Sequence, residues 1–153
     1  MRKRVKAMMA NRTTVESVRT VTGRTISLAG RRQAARCARR VLTQFLGHRG
    51  LLKGLDGQPC EQAEDALLVV SELVTNACRY TAGPRSLGMA LKGGCLLLEV
   101  RDGSRRVPHL VPPEHRGAAG GFGLGLVAEL IDDWAVVTSA RGKTIRVTLP
   151  MGR

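Results

Sequence analysis

Apolar positions along the chain change their period several times, and each change marks an element. From Gln33 to Leu46 they recur at Ala34, Ala38, Val41, Leu42, Phe45 and Leu46 with arginines between them. That is the spacing of one helix face, and Gly47 closes the run. Leu51 to Pro59 is a connection marked by Gly and Pro, and Glu61 to Tyr80 then carries the stripe Ala63, Ala66, Leu67, Val70, Leu73, Val74 and Ala77. This predicts a second, longer helix, whose other face gathers Asp65, Glu72, Asn76 and Arg79. Ahead of the first helix, Arg24-Thr25-Ile26-Ser27-Leu28 alternates and ends at Gly30, as a short strand does. Ser86–Lys92 and Cys95–Arg101 are two short runs around Gly93-Gly94, a hairpin signal, and Trp134–Ser139 with Lys143–Leu149 repeat the arrangement around Arg141-Gly142. Between the hairpins lie an aperiodic stretch, Arg105–Ala119, a glycine run from Gly120 to Gly125, and Leu126–Ile131, which reads as a helix. The order strand, helix, helix, hairpin, loop, helix, hairpin predicts an α+β fold. We expect a two-layer sandwich, with helices on one face of a mixed, mostly antiparallel sheet.

A chain of 153 residues with 43% hydrophobic content supports one buried core. Residues 1–22 lack a sustained apolar period, which predicts a disordered basic extension before a domain spanning 23–150. No run of about 18 apolar residues is present, and the basic start is not followed by an apolar stretch, so no membrane segment and a cytoplasmic location are expected. Net charge is +13, and residues 1–50 hold nearly all of it, with Glu16 their one acid. Such an arm suits phosphates or an acidic protein surface. With two Phe, one Trp and one Tyr in the chain, platforms for base stacking are scarce, which argues against direct nucleic-acid binding. Cys37, Cys60, Cys78 and Cys95 are widely spaced with no Cys-x-x-Cys pair, and read as reduced thiols rather than a metal site or disulfides.

Three clusters carry candidate chemistry. Glu72 and Asn76 stand one helical turn apart, where an amide oxygen can coordinate a hard cation such as Mg²⁺ and a carboxylate can accept a proton. Asp102-Gly103-Ser104 ends a hydrophobic strand, and a carboxylate there can accept a hydrogen bond from an exocyclic amine such as that of adenine. Gly121-x-Gly123-x-Gly125 precedes a predicted helix, whose N–H groups and positive dipole end favour phosphate. Gly123-x-Gly125-x-x-Ala128 formally matches a dinucleotide fingerprint, but no strand directly precedes it and no acid follows at the required distance. Gly142-Lys143-Thr144 lacks the upstream glycine of a P-loop.

In this order and on these elements, the clusters resemble the N, G1 and G2 boxes of the GHKL ATPases, the superfamily of sensor histidine kinases. The resemblance covers roughly residues 23–150. Leu68-Val69-Val70-Ser71-Glu72-Leu73-Val74-Thr75-Asn76-Ala77, Gly123-Leu124-Gly125-Leu126-Val127 and Gly142-Lys143-Thr144 are similar to the consensus of the anti-sigma-factor serine kinases and of small actinobacterial ATP-binding proteins. The resemblance implies the Bergerat fold, ATP and Mg²⁺ as cofactors, and an ATP-dependent protein serine/threonine kinase that acts as an anti-sigma factor. Its partners would be a sigma factor and a STAS-domain antagonist, and relatives often form homodimers. By position, Asn76 would hold Mg²⁺, Glu72 would be the base, and Asp102 would take the adenine amine on a turn made by Gly103. Gly121, Gly123 and Gly125, with Phe122, Leu124 and Leu126 in the same box, would close on the phosphates. Arg79 would contact phosphate, and Thr144 would lie near the adenine. Two departures are visible: the family's Asp-x-Gly-x-Gly reads Asp102-Gly103-Ser104-Arg105-Arg106, and Ala135 follows Trp134 where glycine is frequent. The other functional class that fits is a nucleotide-dependent protein-binding module without kinase activity.

Overall fold

Among the described residues, five strands and three helices follow one another as β1 (Gly23–Ser27), α1 (Ala34–Gly47), α2 (Glu61–Tyr80), β2 (Pro84–Lys92), β3 (Cys95–Asp102), α3 (Phe122–Leu130), β4 (Asp133–Ser139) and β5 (Gly142–Pro150). They come from a computed structural model that describes residues 23–106 and 122–151. The expected N-terminal extension, the aperiodic stretch beyond Arg106 and Gly121 lie outside the described residues.

The strands form one sheet in the order β1-β2-β3-β5-β4. All four pairings are antiparallel, so the parallel pair that a mixed sheet implies is not among them. The reason is topological. β3 and β4 do run the same way, joined through α3, but β5 is inserted between them and is antiparallel to both. The β2–β3 turn is made by Gly93 at φ 57° and Gly94 at φ 73°. Two consecutive left-handed residues match the twist of a hairpin, and glycine reaches that region without a Cβ clash.

Pleating separates the two faces of the sheet. Leu96, Leu98, Val100 and Asp102 of β3 are buried on one face, together with Lys143, Ile145, Val147 and Leu149 of β5. The helices cover this face. Ala38, Leu42, Phe45 and Leu46 of α1, and Val69, Val70, Leu73 and Val74 of α2, complete a single core with Leu87 and Met89 of β2. Arg39 ties the two helices by donating from Nη1 to Leu67 O at 3.1 Å and to Ser71 Oγ at 3.0 Å. The cysteines sit at the margins rather than in this core: Cys37, Cys60 and Cys95 are half-buried, and Cys78 is exposed.

The ends of α2 are set by charge and turn chemistry. Glu61 and Glu64 occupy its first turn, where acids complement the helix dipole. At the other end Thr81 donates from Oγ1 to Ala77 O at 2.6 Å and accepts from Gly83 N–H at 3.0 Å. The chain then enters β2 at Pro84, which pairs with Asp102. This three-residue connection places the C-terminal turn of α2 at the Asp102 end of the sheet.

Candidate functional site

Helix α2 delivers Glu72, Asn76 and Arg79 along one flank that points away from its buried stripe. Glu72 and Asn76 are half-buried, and Arg79, in the last turn, is exposed. Asn76 Nδ2 is buried and has no hydrogen-bond partner among the described residues. Buried polar atoms are nearly always paired, so an amide left in this state one turn from a carboxylate calls for an explanation. Rotation about χ2 exchanges the amide nitrogen for the oxygen, so the same position can present either a donor or a metal-ligating oxygen.

Asp102, only 3% exposed, ends β3 on the helix-covered face of the sheet. Its Oδ1 accepts from the Ser104 backbone N–H at 2.8 Å, which closes a tight Asx turn through Gly103. Lys143 Nζ reaches both carboxylate oxygens, Oδ1 at 2.9 Å and Oδ2 at 2.9 Å. The pair is buried, and register makes it possible, because Asp102 and Lys143 are direct cross-strand partners. Two further contacts fix the turn. Arg85 lies over Gly103, where an added Cβ would stand 2.8 Å from its Nη2, and it donates from Nη1 to Arg141 O at 2.7 Å. Gly142, at φ 141°, comes so close to the Asp102 carbonyl that no side chain fits there.

Thr144 does not join this site. It pairs with Arg101, one residue out of phase with Asp102, so the pleat turns it to the opposite face of the sheet. The glycine box also differs from its expected form. α3 begins at Phe122, so Gly123 and Gly125 lie within the first turns of the helix rather than before it, and Leu124 and Leu126 fall in the same segment. α3 packs against α2, with Gly125 and Val127 buried.

Asp65 belongs to the same flank of α2 but not to the same place. It lies eleven residues before Asn76, about 16 Å along the axis. Burial raises its pKa above the ordinary value, and the neighbouring charges of Glu61 and Glu64 add to the effect. Among the described residues no group of three His, Cys, Asp or Glu could hold a metal ion, so a metal here would need a donor such as Asn76 together with its substrate's oxygens.

Residues 28–149 match the histidine kinase-like ATPase domain. The chain belongs to that family. No curated protein matches it. Among solved structures, the ATPase domain is similar to the RsbU and RsbW domains of Rv1364c from Mycobacterium tuberculosis, with a TM-score of 0.60 and 22% identity, covering 86% of this chain and 33% of that one. It thus spans about a third of that protein. The histidine kinase domain of the blue-light activated histidine kinase EL346 from Erythrobacter litoralis matches with a TM-score of 0.48 and 22% identity, over 82% of this chain and 62% of that one. No helix among the described residues is long and apolar enough to cross a membrane.

The sequence motifs assign no role to Lys143, Arg85 or Gly142. A signal for Lys143 was present in the alternation. Lys143-x-Ile145-x-Val147-x-Leu149 puts a cation at core parity, and Leu96-x-Leu98-x-Val100-x-Asp102 puts an anion there.

Proposed function

We propose that this ATPase domain binds ATP with Mg²⁺ and phosphorylates a serine or threonine of a STAS-domain antagonist, acting as an anti-sigma factor. The observation that carries the reading is the unpartnered amide of Asn76, one turn from Glu72 and at the sheet end that holds Asp102. A buried amide without a partner costs stability unless a ligand satisfies it, and an oxygen ligand for Mg²⁺ is what this position offers. The residues fit the cofactor: Asn76 would hold the metal, Asp102 the adenine ring, and the N-terminal turns of α3 the phosphates. The resemblance of the segment 68–77 to the anti-sigma-factor kinases supports the choice of partner, with a sigma factor as the sequestered protein and a homodimer as the working state.

Bound Mg²⁺-ATP supplies the phosphoryl group and the charge neutralisation. The Glu72 carboxylate makes no hydrogen bond or ion pair with any described residue and can take the proton of an attacking hydroxyl. The phosphoryl group would pass to the hydroxyl oxygen that Glu72 deprotonates, with ADP as the leaving group. Arg79, exposed on the same flank, can meet the phosphates or the incoming protein.

The test compares two variants against STAS-domain proteins of the same genome. Glu72→Ala should keep nucleotide binding and lose phosphoryl transfer by about 10²- to 10⁴-fold, the range for a positioned general base. Asn76→Ala should lose both. If Glu72→Ala transfers phosphate at the parent rate, the domain is a nucleotide-dependent binding module instead.

A further inference from the structure

Lys143 changes what the Asp102 carboxylate can recognise. A carboxylate offers about four lone-pair positions, two on each oxygen. Oδ1 already accepts from Lys143 Nζ at 2.9 Å and from the Ser104 N–H at 2.8 Å, which fills it. Among the described residues Oδ2 is met only by the Lys143 ammonium, at 2.9 Å, so one position remains open to a ligand there. The two oxygens of one carboxylate lie too close together to take separate N–H bonds of one ammonium, so a single Lys143 N–H serves both, and no described residue takes the others. The pair therefore offers an acceptor position on Oδ2 and a donor on Lys143. Side-chain exposures of 5% for Lys143 and 1% for Asp102 make any mismatched group costly, because water cannot repair it.

We infer that Lys143 is a specificity-determining residue, which restricts Asp102 to a single N–H donor and so selects adenine over guanine nucleotides. This rests on the nucleotide-binding reading above. Adenine presents one exocyclic N–H for Oδ2, and its adjacent N1 can accept from Lys143. Guanine presents two neighbouring donors, N1–H and the N2 amine, which a free carboxylate takes with both oxygens. Here guanine can set its O6 against Lys143 and its N1–H on Oδ2, but its N2 amine meets an Oδ1 that is already filled. Hypoxanthine lacks that amine and escapes the conflict. Lys143 acts through Asp102 and has no part in phosphoryl transfer.

The experiment measures ADP, IDP and GDP binding by calorimetry with Mg²⁺, for the full chain and for Lys143→Met. The parent should bind ADP about 10- to 100-fold tighter than GDP, the factor for one buried unpaired donor, with IDP tighter than GDP. Lys143→Met frees a position on each oxygen, so GDP should overtake IDP and the preference for ADP over GDP should fall at least tenfold. A lysine that merely holds the fold would weaken all three nucleotides alike. Lys143→Gln, which keeps an N–H for one oxygen, should give an intermediate ratio and serves if the Met variant does not fold. Unchanged ratios in a folded variant overturn the inference and leave the nucleotide reading standing. No binding of any nucleotide to the parent overturns that reading, and the inference with it.

Discussion

Replacing Asn76 by Leu should make the protein more stable and abolish Mg²⁺-dependent nucleotide binding. Leu has nearly the shape of Asn, and at this position the Asn amide nitrogen is buried without a partner. Leaving such a group unpaired costs about 1–3 kcal/mol, and replacing it by an apolar group of similar shape removes that cost. The residue as a whole is half-buried, so the lower end applies, about 1 kcal/mol. Leu is also the better helix former, by roughly 0.5 kcal/mol in the interior of α2. The expected gain is about 1.5 kcal/mol, or about 5 °C in Tm for a domain of this size. Urea denaturation and scanning calorimetry measure it. Adding ADP and Mg²⁺ should raise the Tm of the parent by mass action and leave that of the variant unmoved. A gain no larger than propensity supplies, or any loss, would refute the idea that this amide is held in an unsatisfied state for a ligand. A stabilising substitution that destroys function is the mark of a position selected for binding.

Other perturbations test other parts of the structure. Gly142→Ala should destabilise by several kcal/mol, because a Cβ at φ 141° would overlap the Asp102 carbonyl and the loss in a urea titration should exceed the roughly 1 kcal/mol of a simple Gly effect. Arg39→Ala should cost about 1 kcal/mol, since two hydrogen bonds that join α1 to α2 are lost at an exposed site, and a change within 0.2 kcal/mol of zero would contradict this. Asp65, whose pKa is raised in the folded state, binds its proton more tightly when folded than when unfolded, so the stability it contributes is full below the ordinary value of 3.8 and is lost as pH rises through the folded pKa. Asp65→Asn should therefore be more stable than the parent at neutral pH and lose that advantage in acid, which denaturation curves across pH would show.

Much of the fold was readable because the helices and hairpins are punctuated locally. Gly93-Gly94 announces its hairpin, and the stripe of α2 gives its bounds to the residue. What misled was the glycine box. Glycine at 121, 123 and 125 reads as a loop because it weakens a helix by about 1 kcal/mol per residue. Burial of Gly125 and Val127 against α2 overrides that preference, and the helix starts at Phe122. Thr144 was misplaced by one residue of register, the smallest error that moves a strand side chain to the other face. The flank of α2 was legible from spacing alone, whereas the partner of Asp102 was not, because Lys143 lies 41 residues away and meets it only through strand pairing.

That pairing also explains how the departure at Asp102-Gly103-Ser104-Arg105-Arg106 is tolerated. A turn with a second and third glycine holds its shape by local backbone freedom, and this chain lacks them. Here the shape is held from outside. The Ser104 N–H bonds to Asp102, Arg85 from β2 covers Gly103 and anchors on Arg141 O, and Gly142 from β5 admits the Asp102 carbonyl. The need for glycine has moved from the turn to the strand that faces it. In the proposed function, base recognition would depend on three strand ends meeting in register, β2 at Arg85, β3 at Asp102 and β5 at Gly142 and Lys143. A one-residue slip of β5 would carry Lys143 to the open face, leave Asp102 buried without a counter-charge and bring Thr144 against it. The ion pair thus opposes misregister of the hairpin.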